Sequence, residues 1–205
     1  MRSDVLFFDV DTQRDFMDEQ GALAVPGAAA IRPNLRRLAQ AARRLGIPVI
    51  ASEDAHDPDD PEFADFPPHC VKGTPGARKI EETSREDALR VPVSGELPAP
   101  PREALARGMV VLEKKTLDVF TNPAAEKLLA ALPGARVVLY GVATEYCVKA
   151  AAEGLLRRGR RLEVVTDAVK GVDEEAHRQT LAGLAAAGAR LLTTGEVLAG
   201  LGPED

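Results

Sequence analysis

Six short apolar runs, rich in Val, Ile and Leu, punctuate the chain: VLFFDV (5 to 10), IPVIAS (47 to 52), GMVVLE (108 to 113), ARVVLYGV (135 to 142), RLEVVT (161 to 166) and ARLLTT (189 to 194). They are continuous rather than alternating. A strand that is apolar at successive positions must be buried on both faces, which is the condition of a parallel sheet covered by helices. The intervening segments supply those helices. PGAAAIRPNLRRLAQAARRLG starts at Pro26 and stops at Gly46, and NPAAEKLLAALPG runs from Asn122 to a Pro-Gly stop. TEYCVKAAAEGLLRRG and DEEAHRQTLAGLAAAG each open on a capping residue and close on glycine. The alternation predicts an α/β fold, a doubly wound, mainly parallel six-stranded sheet with helices on both faces. A chain of 205 residues is long enough for one well-buried core and short for two, so 1–205 reads as a single domain.

Two segments break the rhythm. Residues 53–79, EDAHDPDDPEFADFPPHCVKGTPGARK, are too rich in Pro, Asp and Gly for a regular element, and an inserted loop of this length is usually functional or disordered. It carries two of the three histidines, His56 and His69. Residues 83–108 read as a surface excursion with one short helix near Arg102 to Arg107. The net charge of -6 argues against a nucleic-acid surface, and the basic residues scatter over presumed helix faces. No apolar run reaches the roughly 18 residues of a membrane span, and no secretory signal is visible. Two cysteines, Cys70 and Cys147, make no disulfide scaffold and suit a reducing cytosol, so the expectation is a cytoplasmic protein.

Cys147 follows the fourth apolar run and falls in the first turn of the next helix if Thr144 is its cap. Free backbone N–H groups and the helix dipole favour a thiolate there. A lone cysteine is ordinarily a small buried hydrophobe, but open α/β sheets bind ligands at the carboxyl ends of their strands, which points to a nucleophile. A thiol nucleophile needs a base, usually histidine. His56 and His69 lie in the long loop, and His177 in DEEAHRQTL reads as part of an exposed helical turn. A strand-end carboxylate must then be considered, and LFFDVDTQRDF offers Asp11. VVLEKKTLDVF brings Lys114 and Lys115 to the end of another strand, where an ammonium beside Asp11 and Cys147 would favour the thiolate.

Three blocks in order, VDTQRDF, EKKTLDVF and GVATEYCV, resemble the isochorismatase-like cysteine hydrolases and, within them, the nicotinamidases. The resemblance implies Asp11 as the catalytic aspartate, Lys114 rather than Lys115 as the catalytic lysine, and Cys147 as the nucleophile. It also implies a cis peptide between Val142 and Ala143, with the amides of Ala143 and Cys147 as an oxyanion hole. The competing reading of LFFDVDTQRDF, a haloacid-dehalogenase-type phosphatase, fails at Gln13, where that pattern needs Thr or Val. Asp9 is then a structural carboxylate with hydrogen-bonded neighbours, and Asp15 a helix or turn cap.

SEDAHDPDDPEF followed by FPPHCVKGTPG is similar to the nicotinamidase metal loop, which implies Asp54, His56 and His69 as ligands, with Glu62 at a position where relatives carry His or Glu. Such a set suits a divalent ion, Zn²⁺ first, with Mn²⁺ or Fe²⁺ accepting the same donors; no organic cofactor is implied. Phe16 and Phe66 resemble the aromatic pair that sandwiches the substrate ring, and Cys70 contributes packing only. The implied activity is hydrolysis of nicotinamide to nicotinate and ammonia. Two rivals stand beside it: a cysteine hydrolase of another small amide or ureido/carbamoyl compound, and a non-catalytic ligand-binding member. Homo-oligomers are common among proteins resembling this one.

Overall fold

The computed structural model describes residues 1–202. Its centre is one all-parallel sheet of seven strands: β1 (Val5–Val10), β2 (Val49–Asp54), β3 (Leu89–Val91), β4 (Met109–Lys114), β5 (Arg136–Val142), β6 (Leu162–Lys170) and β7 (Arg190–Leu192). They lie in the order β3-β4-β2-β1-β5-β6-β7. The expected count of six is therefore corrected to seven. The extra strand lies inside the 83–108 excursion, which joins the sheet edge through the pairs Leu89↔Val110 and Val91↔Leu112. Only Val91 of its three residues is buried, so it leaves no apolar run to be read.

Among the described residues seven helices cover the sheet: α1 (Arg14–Met17), α2 (Arg32–Leu45), α3 (Pro101–Ala106), α4 (Ala124–Ala130), α5 (Lys149–Arg157), α6 (Glu174–Ala186) and α7 (Thr194–Ala199). The stretch from Pro26 to Gly46 divides into a 3₁₀ turn, Ala28–Ile31, and α2, which starts so that Pro33 falls in its first turn, where a missing N–H costs no bond. Gly46 ends α2 in the left-handed conformation, φ 60°. Among the described residues no helix is long and apolar enough to cross a membrane.

Every residue of β1 is buried. Leu6, Phe8 and Val10 join one core layer with residues of α3, α4, α5 and α6, whereas Val5 and Phe7 join the other with α1, α2 and α7. This two-sided burial is why the run is continuous. Phe7 and Phe8 thus anchor opposite layers, and truncating either to alanine would cost about 3–5 kcal/mol.

From β1 the chain builds outward through β2 and β4, then returns to place β5 on the other side of β1. The strand ends around β1 are therefore a topological switch point, where open α/β sheets hold their ligands. The approach of β5 to β1 is close: a Cβ on Gly141 would sit 2.0 Å from the Val10 carbonyl oxygen, and Gly141 also adopts φ 122°, so glycine is required there.

Candidate active site

Four neighbouring strand ends supply the centre of the site. Asp54 and Lys114 are the last residues of β2 and β4 and pair in register, so their side chains emerge side by side. Asp11 follows β1 in the left-handed conformation, φ 48°. Its Oδ2 lies 2.8 Å from Lys114 Nζ, and its Oδ1 accepts a 2.6 Å hydrogen bond from Ser52 Oγ on β2. Lys114 also donates to the Asp54 carboxylate and, at 3.5 Å, to Cys147 Sγ, which stands just beyond β5. All four side chains are buried.

Charge balance sets the protonation states. Burial alone would draw the Lys114 ammonium down, but Asp11 and Asp54 outweigh it and hold Lys114 well above its ordinary value. Burial would likewise raise Asp54, yet Lys114 and His69 keep it lowered. For Cys147 burial wins: it pushes the thiol well above the usual range, Lys114 opposes it, and Asp11 and Asp54 add to it. Burial and the two carboxylates thus work against the thiolate that the turn position and Lys114 were expected to favour.

The local structure also departs from the one expected around Cys147. Thr144–Val148 form a π-helical turn with a non-helical Tyr146, φ -115° and ψ -107°, so Cys147 does not occupy the first turn of a regular helix. Thr144 makes no side-chain cap; its Oγ1 instead pairs with His177 Nδ1 at 2.9 Å. His177 is accordingly half-buried rather than on an exposed turn, and burial lowers its pKa. Glu145 ties the same turn to the start of α6 by accepting the N–H groups of Val172 and Asp173 at 2.8 and 2.9 Å. The Val142–Ala143 peptide is cis, as the resemblance implied.

Beside this centre the long loop brings a second cluster. One donor atom each from Asp54, His56 and His69 lie within 4.8 Å of one another. His56 Nε2 is 4.0 Å from Asp54 Oδ2 and 3.7 Å from Glu62 Oε2; His69 Nε2 is 3.8 Å from Asp54 Oδ2. His69 Nδ1 lies 2.8 Å from the Pro67 carbonyl, which can only accept, so the proton sits on Nδ1 and the Nε2 lone pair faces the cluster. His56 is fully buried and, among the described residues, neither ring nitrogen has a hydrogen-bond partner, a costly arrangement unless something else binds the Nε2 that faces the carboxylates. Asp54 and the two imidazoles, with Glu62 beside His56, make a donor set that fits a borderline divalent ion.

The loop is held by side chains the motifs did not single out. Gln13 donates to the carbonyls of Asp54 and Ala77 at 2.8 and 2.9 Å and accepts the Asp54 N–H at 2.7 Å. Its place in VDTQRDF was the available signal. Asp15 does not cap its own helix: Oδ2 accepts the Cys70 N–H at 2.7 Å and Oδ1 the Ala22 N–H at 3.2 Å. Cys70 itself packs in the core, its thiol raised by burial. Lys115 pairs with Asp57 at 2.6 Å and with Asp60 at 3.0 Å. Burial pushes Asp60 up, but Lys115 and the Glu62 amide hold its carboxyl at about 2. Asp9 is structural as expected, receiving Thr12 Oγ1 at 2.8 Å and facing Lys79 at 3.2 Å.

Between the two clusters opens a cavity of about 140 Å³, lined by Phe16, Asp54, Glu62, Phe66, His69, Ala143 and Cys147, among others. The Phe16 ring centre is 5.4 Å from that of His69, and Phe66 stands 6.4 Å from His69 and 6.5 Å from Tyr146. Tyr146, which the sequence reading did not single out, thus completes an aromatic wall.

A buried carboxylate–ammonium–thiol group at the ends of parallel strands, beside an imidazole–carboxylate cluster, is the setting of a hydrolase. The chain belongs to the isochorismatase family: residues 5–196 match the profile described as Isochorismatase domain. It is 31% identical over 182 residues to the nicotinamidase/pyrazinamidase of Mycobacterium tuberculosis, covering 81% of this chain and 86% of that one. Among solved structures, the pyrazinamidase of Pyrococcus horikoshii in complex with zinc is 28% identical and superposes with a TM-score of 0.75 over 93% of this chain and 99% of that chain. N-carbamoylsarcosine amidase from Thermoplasma acidophilum, also 28% identical, gives 0.72 over 92% and 95%.

Proposed function

We propose that this hydrolase is an amidase that converts nicotinamide and water to nicotinate and ammonia through a thioester on Cys147. The observation that carries the reading is the position of Lys114 Nζ, 2.8 Å from Asp11 and 3.5 Å from the sulfur of Cys147, which lines a cavity walled by Phe16 and Phe66.

Burial pushes the Cys147 thiol up, so the reaction begins with a proton transfer. Asp11 takes the thiol proton as Sγ attacks the carboxamide carbon, and Lys114 offsets the negative charge shared between carboxylate and sulfur. The amides of Ala143 and Cys147 hold the oxyanion, each donor contributing roughly 3 kcal/mol. The intermediate collapses with cleavage of the C–N bond, and Asp11 passes its proton to the departing ammonia. Asp11 then draws a proton from water, whose oxygen attacks the thioester. The C–S bond breaks, nicotinate leaves, and the sulfur recovers the proton. Asp54, His56, Glu62 and His69 would hold a divalent ion, which when bound supplies a Lewis-acid contact for the ring nitrogen. The likeness to the nicotinamidase/pyrazinamidase of Mycobacterium tuberculosis and to the Pyrococcus horikoshii pyrazinamidase in complex with zinc supports this substrate class.

Ammonia release from nicotinamide tests the proposal. The wild-type protein is expected to release it and Cys147→Ala to release none; equal rates would remove the mechanism. The likeness to N-carbamoylsarcosine amidase supports a second reading, a hydrolase of carbamoyl compounds. Turnover of N-carbamoyl compounds with none of nicotinamide, by protein free of metal, would favour it.

A further inference from the structure

Four side chains converge on the cation site, but the two imidazoles among them are supported differently. His69 is oriented by a neutral backbone carbonyl, that of Pro67. His56 is faced by a carboxylate: Asp60 Oδ2 lies 3.3 Å from His56 Nδ1, which has no other partner among the described residues. The other ring nitrogen, Nε2, is the one that faces Asp54 and Glu62. To present Nε2 to a cation the imidazole must carry its proton on Nδ1, and an acceptor beside Nδ1 fixes that tautomer and makes Nε2 more basic.

Asp60 also reaches the fourth donor. Its Oδ1 accepts the backbone N–H of Glu62 at 3.2 Å, setting the 3₁₀ turn Pro61–Ala64 that carries Glu62. Its own place is fixed by Lys115 at 3.0 Å, and Lys115 in turn is held by Asp57 at 2.6 Å. The two adjacent lysines at the end of β4 thus serve the two halves of the site, Lys114 the thiol and Lys115 the loop.

We infer that Asp60 is a positioning residue for the cation site: it holds His56 and Glu62 in ligating orientation, with Lys115 as its anchor. The inference rests on the divalent-ion reading proposed above, and the test separates the two.

Zn²⁺ is titrated into chelator-stripped protein against a chromophoric competitor. Wild type is expected to bind one equivalent, and Asp60→Asn to bind about 10- to 100-fold more weakly, the usual effect of losing an outer-shell partner. Failure of wild type to bind would sink the divalent-ion reading itself. Tight wild-type binding with an unchanged Asp60→Asn would overturn the inference alone. A general loss of loop structure is distinguished by a double-mutant cycle: Asp60→Asn keeps an amide oxygen for the Glu62 N–H, so its loss passes through His56 and should add little to that already caused by His56→Ala. Additive losses would overturn the assignment. If Asp60→Asn does not fold, Lys115→Met, at a partly exposed position, carries the test; a severalfold weaker affinity supports the anchor, and wild-type affinity refutes it.

Discussion

The two halves of the site are positioned by different means. Asp11, Lys114 and Cys147 stand at the ends of β1, β4 and β5, so backbone pairing across a sheet buried on both faces brings them together. The loop after β2 has a sparser frame. Backbone bonds tie its ends, from Ala55 N–H to the Lys114 carbonyl and from Arg14 and Asp15 N–H to those of Arg78 and Gly76, and between them side chains reach in: Gln13 on Asp54, Asp15 on Cys70, and Lys115 on Asp57 and Asp60. A polar substitution outside the cluster can therefore disturb the loop while the strand-end group stays in place. Asp54 is the exception, because it ends β2, pairs with Lys114 and also faces both imidazoles.

The largest effect should come from the residue that joins the halves electrostatically. Lys114→Met leaves Asp11 and Asp54 buried without their cation, and breaking a buried pair in this way costs about 3–5 kcal/mol. Denaturant unfolding should register that loss, and ammonia release should fall by at least roughly 10²-fold. Full stability in this variant would contradict the charge balance described here.

Gln13→Ala and Ser52→Ala then sharpen the contrast. Removing Gln13 strips the Asp54 N–H and the Asp54 and Ala77 carbonyls of partners, an expected loss of about 2–4 kcal/mol from buried polar groups left unmade. Because Asp54 serves both halves, Zn²⁺ affinity and turnover should fall together. Removing the Ser52 hydroxyl takes a 2.6 Å bond from Asp11 alone. Turnover should drop about tenfold, the equivalent of one hydrogen bond to a charged group, while Zn²⁺ affinity holds. Parallel losses in both variants would show that the halves are one unit.

The same division separates what the sequence made legible from what it hid. Strands with both faces covered announced themselves as continuous apolar runs, and helix ends as Pro and Gly. The edge strand β3, with a single buried residue, did not. β2 runs on through Glu53 and Asp54, charges that read as loop until Lys114 and Arg90 are seen beside them. The residues that meet at the strand ends stood in recognisable motifs. The protonation of Cys147 could not be read, since it sums burial with charges from three separate segments. Nor could Asp60 be told from Asp57 and Asp59 in DPDDPEF, because only the fold turns one of them toward His56.

The smallest predicted effect concerns the segment that pins the nucleophile turn from outside both halves. His177 reaches Thr144 across 33 residues of sequence. Burial depresses its pKa below 6.5, so the folded protein favours the neutral ring and the unfolded chain takes up the proton first. The contribution is present above pH 6.5 and is lost as pH falls from there toward the depressed folded value. Glutamine keeps a hydrogen-bonding group but does not titrate. Between pH 8 and pH 5.5 the melting temperature of wild type should therefore fall further than that of His177→Gln, by under about 3 °C given the partial exposure of the ring. Identical slopes would mean that the Thr144 contact does not sense the charge on His177, leaving the Glu145 bonds to Val172 and Asp173 as the tie from this turn to α6.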